Sequence, residues 1–252
     1  MWLKKQIPNM ITLLNLLCGC IAVILAVQNN LVLAAMFVML GIGFDFFDGF
    51  AARILLVQSE LGLQLDSLAD MVTSGLVPGV VMFQLLARTQ KTVSRTVFDS
   101  WGFDQNLTSI EMPYIAFTGL LITLASAYRL AKFNIDTRQT TSFIGLPTPA
   151  NTLLIVSLPL ILSFQSTEWI ANLLDNPWFL IVLTLLSSYL LNAEIPLFSL
   201  KFKSWGFAEN KVRYFFIILM LLLLVFLQFI AIPCIIIVYV LMSLLFRERS
   251  PK

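Results

Sequence analysis

Histidine is absent from this chain of 252 residues, and charged side chains make up only 12% of it. Without imidazole, neither a histidine-bound zinc site nor a serine hydrolase triad with histidine as base is available. The charged fraction is about half that of an ordinary soluble domain. This excludes a water-soluble globule and a nucleic-acid binder that relies on a basic patch. The three cysteines, an odd number in apolar segments, argue against a disulfide framework.

The chain as a whole is strongly apolar, with 59% hydrophobic residues and a mean hydropathy of +0.90. We predict an all-α, polytopic membrane bundle of about eight transmembrane helices, at about 20 residues per span. The last apolar stretch, 214–246, is divided in two, because one helix of 33 residues would measure about 50 Å and Pro233 lies near its centre. The predicted spans are 9–27, 31–53, 61–87, 113–132, 147–165, 177–195 and the two halves of 214–246.

The placement of lysine and arginine predicts the orientation of the bundle. With eight spans, 13 of the 16 cations fall on the side of both termini, and Arg88, Lys91 and Arg95 fall on the other. Because cytoplasmic loops carry the excess of positive residues, we expect both termini in the cytoplasm. We treat residues 1–252 as a single integral-membrane domain, with a catalytic core at about 1–200 and additional C-terminal helices at about 214–246.

The second and third spans carry four aspartates in a pattern that predicts one site. Asp45 and Asp48 are three residues apart and Asp66 and Asp70 are four apart, so each pair shares a helix face. The two spans are joined by a short turn, which brings all four carboxylates to similar depth, about 8–15 Å below the cytoplasmic interface.

Four carboxylates in a membrane bundle need compensating positive charge, and Arg53 supplies one cation nearby. Two divalent cations would balance the site. An all-carboxylate ligand set favours Mg²⁺ or Mn²⁺, with Ca²⁺ as a further option, over zinc or copper. Paired divalent cations are a common device for phosphoryl transfer. The pattern therefore predicts a metal-dependent enzyme acting on phosphate esters.

Residues 45–70 read DFFDGFAAR, eight further residues, and GLQLDSLAD. This resembles the motif of the CDP-alcohol phosphotransferases, D-x2-D-G-x2-A-R-x8-G-x3-D-x3-D, at every fixed position. Segments 7–19, 67–78, 128–134, 143–150 and 195–201 are similar to the membrane-integral bacterial phosphatidylserine synthases within that family. The resemblance extends from the first predicted span to the sixth.

The resemblance implies a reaction in which CDP-diacylglycerol and L-serine give phosphatidylserine and CMP. Asp45, Asp48 and Asp66 would hold two metal ions, with Asp70 completing the second site. Asp66 and Asp70 would form the catalytic pair, Asp70 serving as general base on the serine hydroxyl. The residues implied in binding the CDP-lipid are Thr12, Asn15, Gly49, Ala52, Arg53 and Gly62.

Binding of serine requires a partner for its carboxylate. Arg129 and Lys132, near the cytoplasmic end of the fourth span, are candidates, and Thr73, Asn134 and Thr148 are candidate hydrogen-bonding partners. Ordinary positive-inside bias also explains the two cations. The implied partners are the lipid bilayer of the bacterial cytoplasmic membrane, with the site facing the cytoplasm, and a second copy in a homodimer. No nucleic-acid partner is expected.

Two alternatives remain open at this point. A related phosphotransferase would use glycerol 3-phosphate or an inositol phosphate as acceptor, and the aspartate motif does not separate these. A cation-coupled transporter would also bind ions through carboxylates in the membrane. Transporters of that kind often show paired repeats and broken helices, whereas no internal repeat is visible in this sequence.

Overall fold

The computed structural model of the protein describes residues 2–90, 114–135, 143–197, 206 and 210–245. Within these residues the chain is all-α, as predicted, apart from one short antiparallel strand pair. The polar connections expected at 88–112, 133–143 and 199–213 lie largely outside the described residues. The elements are α1 (Trp2–Val27), α2 (Leu31–Ile54), α3 (Glu60–Asp70), α4 (Val77–Thr89), α5 (Leu121–Ile135), β1 (Phe143–Ile144), α6 (Thr148–Phe164), α7 (Glu168–Leu174), α8 (Pro177–Asn192), β2 (Pro196–Leu197), α9 (Lys211–Leu227) and α10 (Ala231–Leu245).

In the described part of the chain, five helical runs are long and apolar enough to cross a membrane. A sixth is obtained if α7 and α8, which meet at 67°, form one broken span. Helix α6 has 17 residues, fewer than the roughly 20 of a typical span. The predicted count of eight spans is therefore not confirmed. The five runs are Gln6–Val27, Leu31–Ile54, Glu60–Thr89, Tyr114–Ile135 and Lys211–Leu245.

The last of these runs consists of two helices that pack side by side. The backbone breaks at Gln228, whose φ is +47°. The ring centroids of Phe216 in α9 and Tyr239 in α10 are 5.6 Å apart, so α10 folds back along α9. The sequence predicted the break near Pro233, and the observed break lies about one turn before that residue. The reason is that Pro233 has no N–H for the carbonyl of Phe229 one turn earlier.

Gln165, at the end of α6, fills this break with its side-chain amide. Its Nε2 donates to the carbonyl oxygen of Leu227 at 3.1 Å, and its Oε1 accepts the N–H of Ile230 at 3.1 Å. The two backbone groups freed by the break are thereby satisfied. This contact fixes the turn of the α9–α10 hairpin to the end of the bundle where α6 ends.

Short capped turns hold α1, α2 and α3 side by side. Asn29 adopts a φ of +60°, which asparagine tolerates better than most residues, and the Asn30 side chain accepts the N–H of Leu33 at 3.4 Å to cap α2. Between α2 and α3, the Ser59 hydroxyl accepts the N–H of Gly62 at 3.0 Å and caps α3. The last turns of α2 and the first turns of α3 therefore lie at the same end of the bundle.

A π-helical turn, Met71–Leu76, joins α3 to α4 within one 30-residue helical run. Pro78 cannot donate to the carbonyl of Ser74 one turn earlier. That carbonyl instead accepts the Thr152 hydroxyl of α6 at 2.8 Å, and the carbonyl of Gly75 accepts the Thr123 hydroxyl at 3.1 Å. The neighbouring helices thus stabilise the turn, and π turns of this kind are frequent at functional sites.

The strand pair anchors the start of α6. Phe143 of β1 lies opposite Leu197 of β2. Gly145 follows with a φ of +76°, and a Cβ at this position would lie 2.6 Å from the carbonyl oxygen of Leu191. Glycine is required there on both counts. The segment before α6 is consequently held against the end of α8, which brings the first turn of α6 toward α5.

Candidate metal centre

Three of the four predicted aspartates converge at one end of the bundle. Asp45 and Asp48 lie near the end of α2, and Asp66 lies in α3. One carboxylate oxygen of each lies within 4.8 Å of the others. Divalent cations bind oxygen at about 2.0–2.6 Å, so oxygens at this spacing can share one ion. The predicted convergence of the aspartates of α2 and α3 is confirmed for this trio, and the binding of a metal ion by them stays a prediction.

Asp70 ends α3, one turn beyond Asp66, and lies outside the trio whose oxygens fall within 4.8 Å. It nevertheless belongs to the same charge cluster, because it interacts electrostatically with Asp45 and Asp66. Whether Asp70 ligates a second ion stays a prediction. Its place at the junction of α3 and the π-helical turn sets it on the inner side of the cluster.

Helix α1 supplies a wall of the site through Thr12 and Asn15. The Thr12 hydroxyl, 3% exposed, donates to Oδ2 of Asp48 at 2.5 Å. Asn15 is fully buried beside Asp70. The structure shows a direct contact with an aspartate for Thr12. The assignment of both residues to binding of the CDP-lipid stays a prediction. Thr12 orients Asp48 by a charge-assisted hydrogen bond.

The small residues of the motif lie on both sides of the α2–α3 turn. The exposed Arg53 donates from Nε to the carbonyl oxygen of Gly49 at 2.8 Å. The nearest neighbour to a Cβ on Gly49 would be an Arg53 nitrogen at 3.6 Å, so this surface is open. Ala52 is half-buried in the same turn of α2. A Cβ on Gly62 would lie 3.3 Å from Oδ1 of Asn9, so Gly62 allows close approach of α1 and α3.

The predicted serine-binding residues have different environments. Arg129 is buried, interacts electrostatically with Asp70, and has an Nε without a hydrogen-bond partner. Lys132 is 3.5 Å from Glu194 in a partly exposed ion pair. Asn134 donates from Nδ2 to the Ser67 hydroxyl at 2.9 Å, next to Asp66. Arg129 is thus the cation that the fold directs at the aspartates.

The two threonines of that group contact the backbone of the bundle. The Thr73 hydroxyl donates to the carbonyl oxygen of Asn15 at 3.2 Å, and a Cβ on Gly19 would lie 2.4 Å from it. Thr73 therefore packs the π-helical turn against α1, and its hydroxyl already donates a hydrogen bond. Thr148 is buried at the start of α6, and its carbonyl accepts the Thr152 hydroxyl at 2.9 Å.

Several buried polar residues of the bundle were not predicted as site residues from the sequence. The available signal was spacing: Ser126 precedes Arg129 by three residues, and Asn151 follows Thr148 by three, so each continues a predicted polar helix face. Ser74 lies in the π-helical turn, where helical periodicity gives no guide. Asn192 donates to the carbonyl oxygen of Ala125 at 3.0 Å and ties α8 to α5.

Together the apolar helices and the carboxylate trio define an integral-membrane protein with a candidate divalent-metal centre at one end of its bundle. Residues 5–180 match the model of the CDP-alcohol phosphatidyltransferase family. The chain belongs to this family, as the resemblance predicted. The match includes the aspartate centre and α6 and ends within α8, so α9 and α10 lie beyond it.

Curated relatives support the same assignment. The chain is 32% identical over 192 residues to a CDP-diacylglycerol–serine O-phosphatidyltransferase of Bacillus subtilis, covering 76% of this chain and 89% of that protein. Proteins of the same name from Methanocaldococcus jannaschii and Helicobacter pylori strain J99 are 31% identical over 150 residues and 28% identical over 151. The matches cover 60% and 59% of this chain, and 58% and 55% of those two proteins.

Proposed function

We propose that this enzyme transfers the phosphatidyl group of CDP-diacylglycerol to the hydroxyl of L-serine, giving phosphatidylserine and CMP. The observation that carries the proposal is the approach of three carboxylates to within 4.8 Å in a membrane bundle of this family. The names of the relatives supply the substrates. The proposal treats the whole chain as one catalytic domain, with α9 and α10 as additional helices.

Asp45, Asp48 and Asp66 would hold one divalent cation, Mg²⁺ or Mn²⁺, and Asp70 would complete a second site with them. Bound cations would neutralise the pyrophosphate of the CDP-lipid and withdraw charge from the phosphorus under attack. The fit rests on the donor set: hard carboxylate oxygens near one another, with one buried cation, Arg129, among the described residues. The local excess of negative charge favours cation binding.

The reacting proton is assigned to Asp70. Its carboxylate accepts the proton of the serine hydroxyl, whose oxygen forms a new bond to the β-phosphorus. The bond from that phosphorus to the oxygen bridging toward CMP breaks, and CMP leaves with the electron pair. Asp66 lies one turn away on the same face of α3, so it would hold the pyrophosphate side of the centre in place.

Binding of the nucleotide is assigned to the exposed side of the α2–α3 turn. Gly49 and Ala52 leave room there, Gly62 lets α1 approach the start of α3, and the exposed Arg53 guanidinium can contact the nucleotide phosphate. Thr12 acts on the substrate through Asp48, whose carboxylate it orients. Asn15, buried beside Asp70, completes the α1 wall of the centre.

For the acceptor, the burial of Arg129 favours serine over a phosphate-bearing alcohol. Arg129 is the buried cation in the described part of the chain, and one guanidinium matches one carboxylate. A phosphate dianion would call for further buried cations. Lys132, Asn134 and Thr148 are assigned to the entrance of the acceptor site, and Thr73 to its wall.

The proposal includes an orientation in the bacterial inner membrane. Arg53, Lys132 and Lys211 all lie at the aspartate end of the bundle, which we assign to the cytoplasm. Eight spans, both termini inside and a homodimeric assembly complete this arrangement. A Glu60→Cys variant should react with a membrane-impermeant thiol reagent only from the cytoplasmic side. Reaction from the outside would reverse the orientation.

The function is tested with the purified full-length protein and CDP-diacylglycerol, after chelation of metals and addition of Mg²⁺ or Mn²⁺. L-Serine and glycerol 3-phosphate are supplied separately, and the lipid products are identified by mass spectrometry. Phosphatidylserine should form only with serine and a divalent cation. A glycerol 3-phosphate product without a serine product would overturn the choice of acceptor, and turnover in chelator would overturn the metal assignment.

A further inference from the structure

Besides atoms of Asn15 and Arg129, four buried polar atoms on the π-helical turn, α5 and α6 have no hydrogen-bond partner among the described residues. They are the hydroxyl oxygens of Ser74 and Ser126 and both amide atoms of Asn151. Ser74 is 1% exposed, and Ser126 and Asn151 are fully buried. None of these residues was predicted as a site residue from the sequence.

Contacts to and between backbone segments bring these residues to one region of the fold. Thr152, which follows Asn151, donates to the carbonyl oxygen of Ser74. A Cβ on Gly75, which follows Ser74, would lie 3.3 Å from Cβ of Ser126. The π-helical turn therefore lies between the first turn of α6 and the middle of α5. Each of these three segments contributes one of the polar residues.

This polar cluster, Ser74, Ser126 and Asn151, adjoins the aspartate centre on the side of Asp70. Asp70 immediately precedes the π-helical turn. Arg129 lies one turn beyond Ser126 on the same face of α5 and interacts electrostatically with Asp70. The Arg129 guanidinium and the polar cluster thus flank the residue assigned as the base.

Buried polar atoms are almost always hydrogen-bonded, and each unsatisfied one is costly. Four such atoms on segments that pack against one another favour a polar occupant. The hydroxyl oxygens and the Asn151 amide oxygen can accept hydrogen bonds, whereas Arg129 and the Asn151 amide nitrogen can only donate. This set is complementary to a zwitterion, with neutral acceptors for an ammonium group and a guanidinium for a carboxylate.

We propose that Ser74, Ser126 and Asn151 form the subsite for the α-ammonium group of the acceptor amino acid, while Arg129 binds its carboxylate. The β-hydroxyl is then directed at Asp70. This inference rests on the proposed function, because it assigns the acceptor side of that reaction. Asn151 also confers specificity, since an acceptor molecule without an ammonium group leaves its amide oxygen unsatisfied.

The test compares KM for L-serine with KM for CDP-diacylglycerol in the full-length protein. Asn151→Leu keeps the size of the side chain and removes its polar atoms, and Ser126→Ala removes one hydroxyl. Ser157→Ala is the matched control, because Ser157 is also buried in α6 but already donates to the carbonyl oxygen of Leu154 at 2.7 Å. We expect Asn151→Leu to raise KM for serine about tenfold or more, with KM for the CDP-lipid changed less than about twofold.

Thermal stability separates this role from a structural one. Loss of an unpartnered hydroxyl costs no protein hydrogen bond, so Ser126→Ala should raise KM for serine several-fold without lowering the thermal midpoint. Unchanged KM for serine in both variants would overturn the inference, as would equal increases in both KM values. If the wild type forms no phosphatidylserine at all, the proposed function fails instead, which distinguishes the two failures.

Discussion

The hydrogen bond from Thr12 to Asp48 makes a sharp prediction about metal binding. Thr12→Val preserves the shape of the side chain and removes the donor to Oδ2 of Asp48, which it meets at 2.5 Å. Both side chains are buried, at 3% and 6% exposure, so water cannot readily replace the hydroxyl. Hydrogen bonds to charged groups contribute about 1.5–3 kcal/mol. The loss of partners behind a metal ligand typically weakens metal binding about 10–100-fold.

The assay is CMP release measured as a function of Mn²⁺ concentration at saturating serine. Thr12→Val should raise the half-saturating Mn²⁺ concentration at least about tenfold. Thr184→Val is the matched control, because Thr184 is fully buried but donates to the carbonyl oxygen of Leu180 at 2.8 Å, within α8. Equal metal dependence in the two variants would refute the idea that α1 orients the aspartates.

Three further variants test other parts of the account. Asp70→Asn should lower the rate of transfer by about 100-fold or more while binding of the CDP-lipid survives. Turnover at the wild-type rate would contradict the assignment of Asp70 as base. The control is Asp175→Asn, which changes an exposed residue paired with Arg88. Gly41→Ala should lower the thermal midpoint, because the new Cβ would lie 2.8 Å from Cγ2 of Thr73. Gly43→Ala is the control and should leave the midpoint unchanged, because no atom lies within 4 Å of a Cβ at that position. Equal effects of the two substitutions would contradict the packing argument. Gln165→Leu removes both hydrogen bonds at the α9–α10 break and should destabilise the protein by about 2 kcal/mol. An unchanged midpoint in detergent would show that the break does not depend on this amide.

The aspartate centre was predictable because its information is local. Two helices joined by a short turn need only helical periodicity to bring Asp45, Asp48 and Asp66 together, and the predicted spans 31–53 and 61–87 agree with the observed Leu31–Ile54 and Glu60–Thr89 within a few residues. The length of the apolar stretches also predicted that the fold is all-α.

The partners of the centre were less accessible, because they depend on contacts between distant segments. Ser74 and Asn151 are 77 positions apart in the sequence, and only the packing of α6 on the π-helical turn brings their segments together. The turn itself follows from Pro78 and from hydroxyl donors on two other helices. The Thr12 contact with Asp48 likewise required the relative rotation of α1 and α2.

The most direct test of the central claim uses L-serine carrying heavy oxygen in its hydroxyl group. With CDP-diacylglycerol and Mn²⁺, the account predicts that the label enters the phosphoester bond of phosphatidylserine, in step with CMP release, and that the CMP carries none. CMP release without labelled lipid, or label appearing in CMP, would contradict direct attack of the serine hydroxyl on the lipid phosphorus.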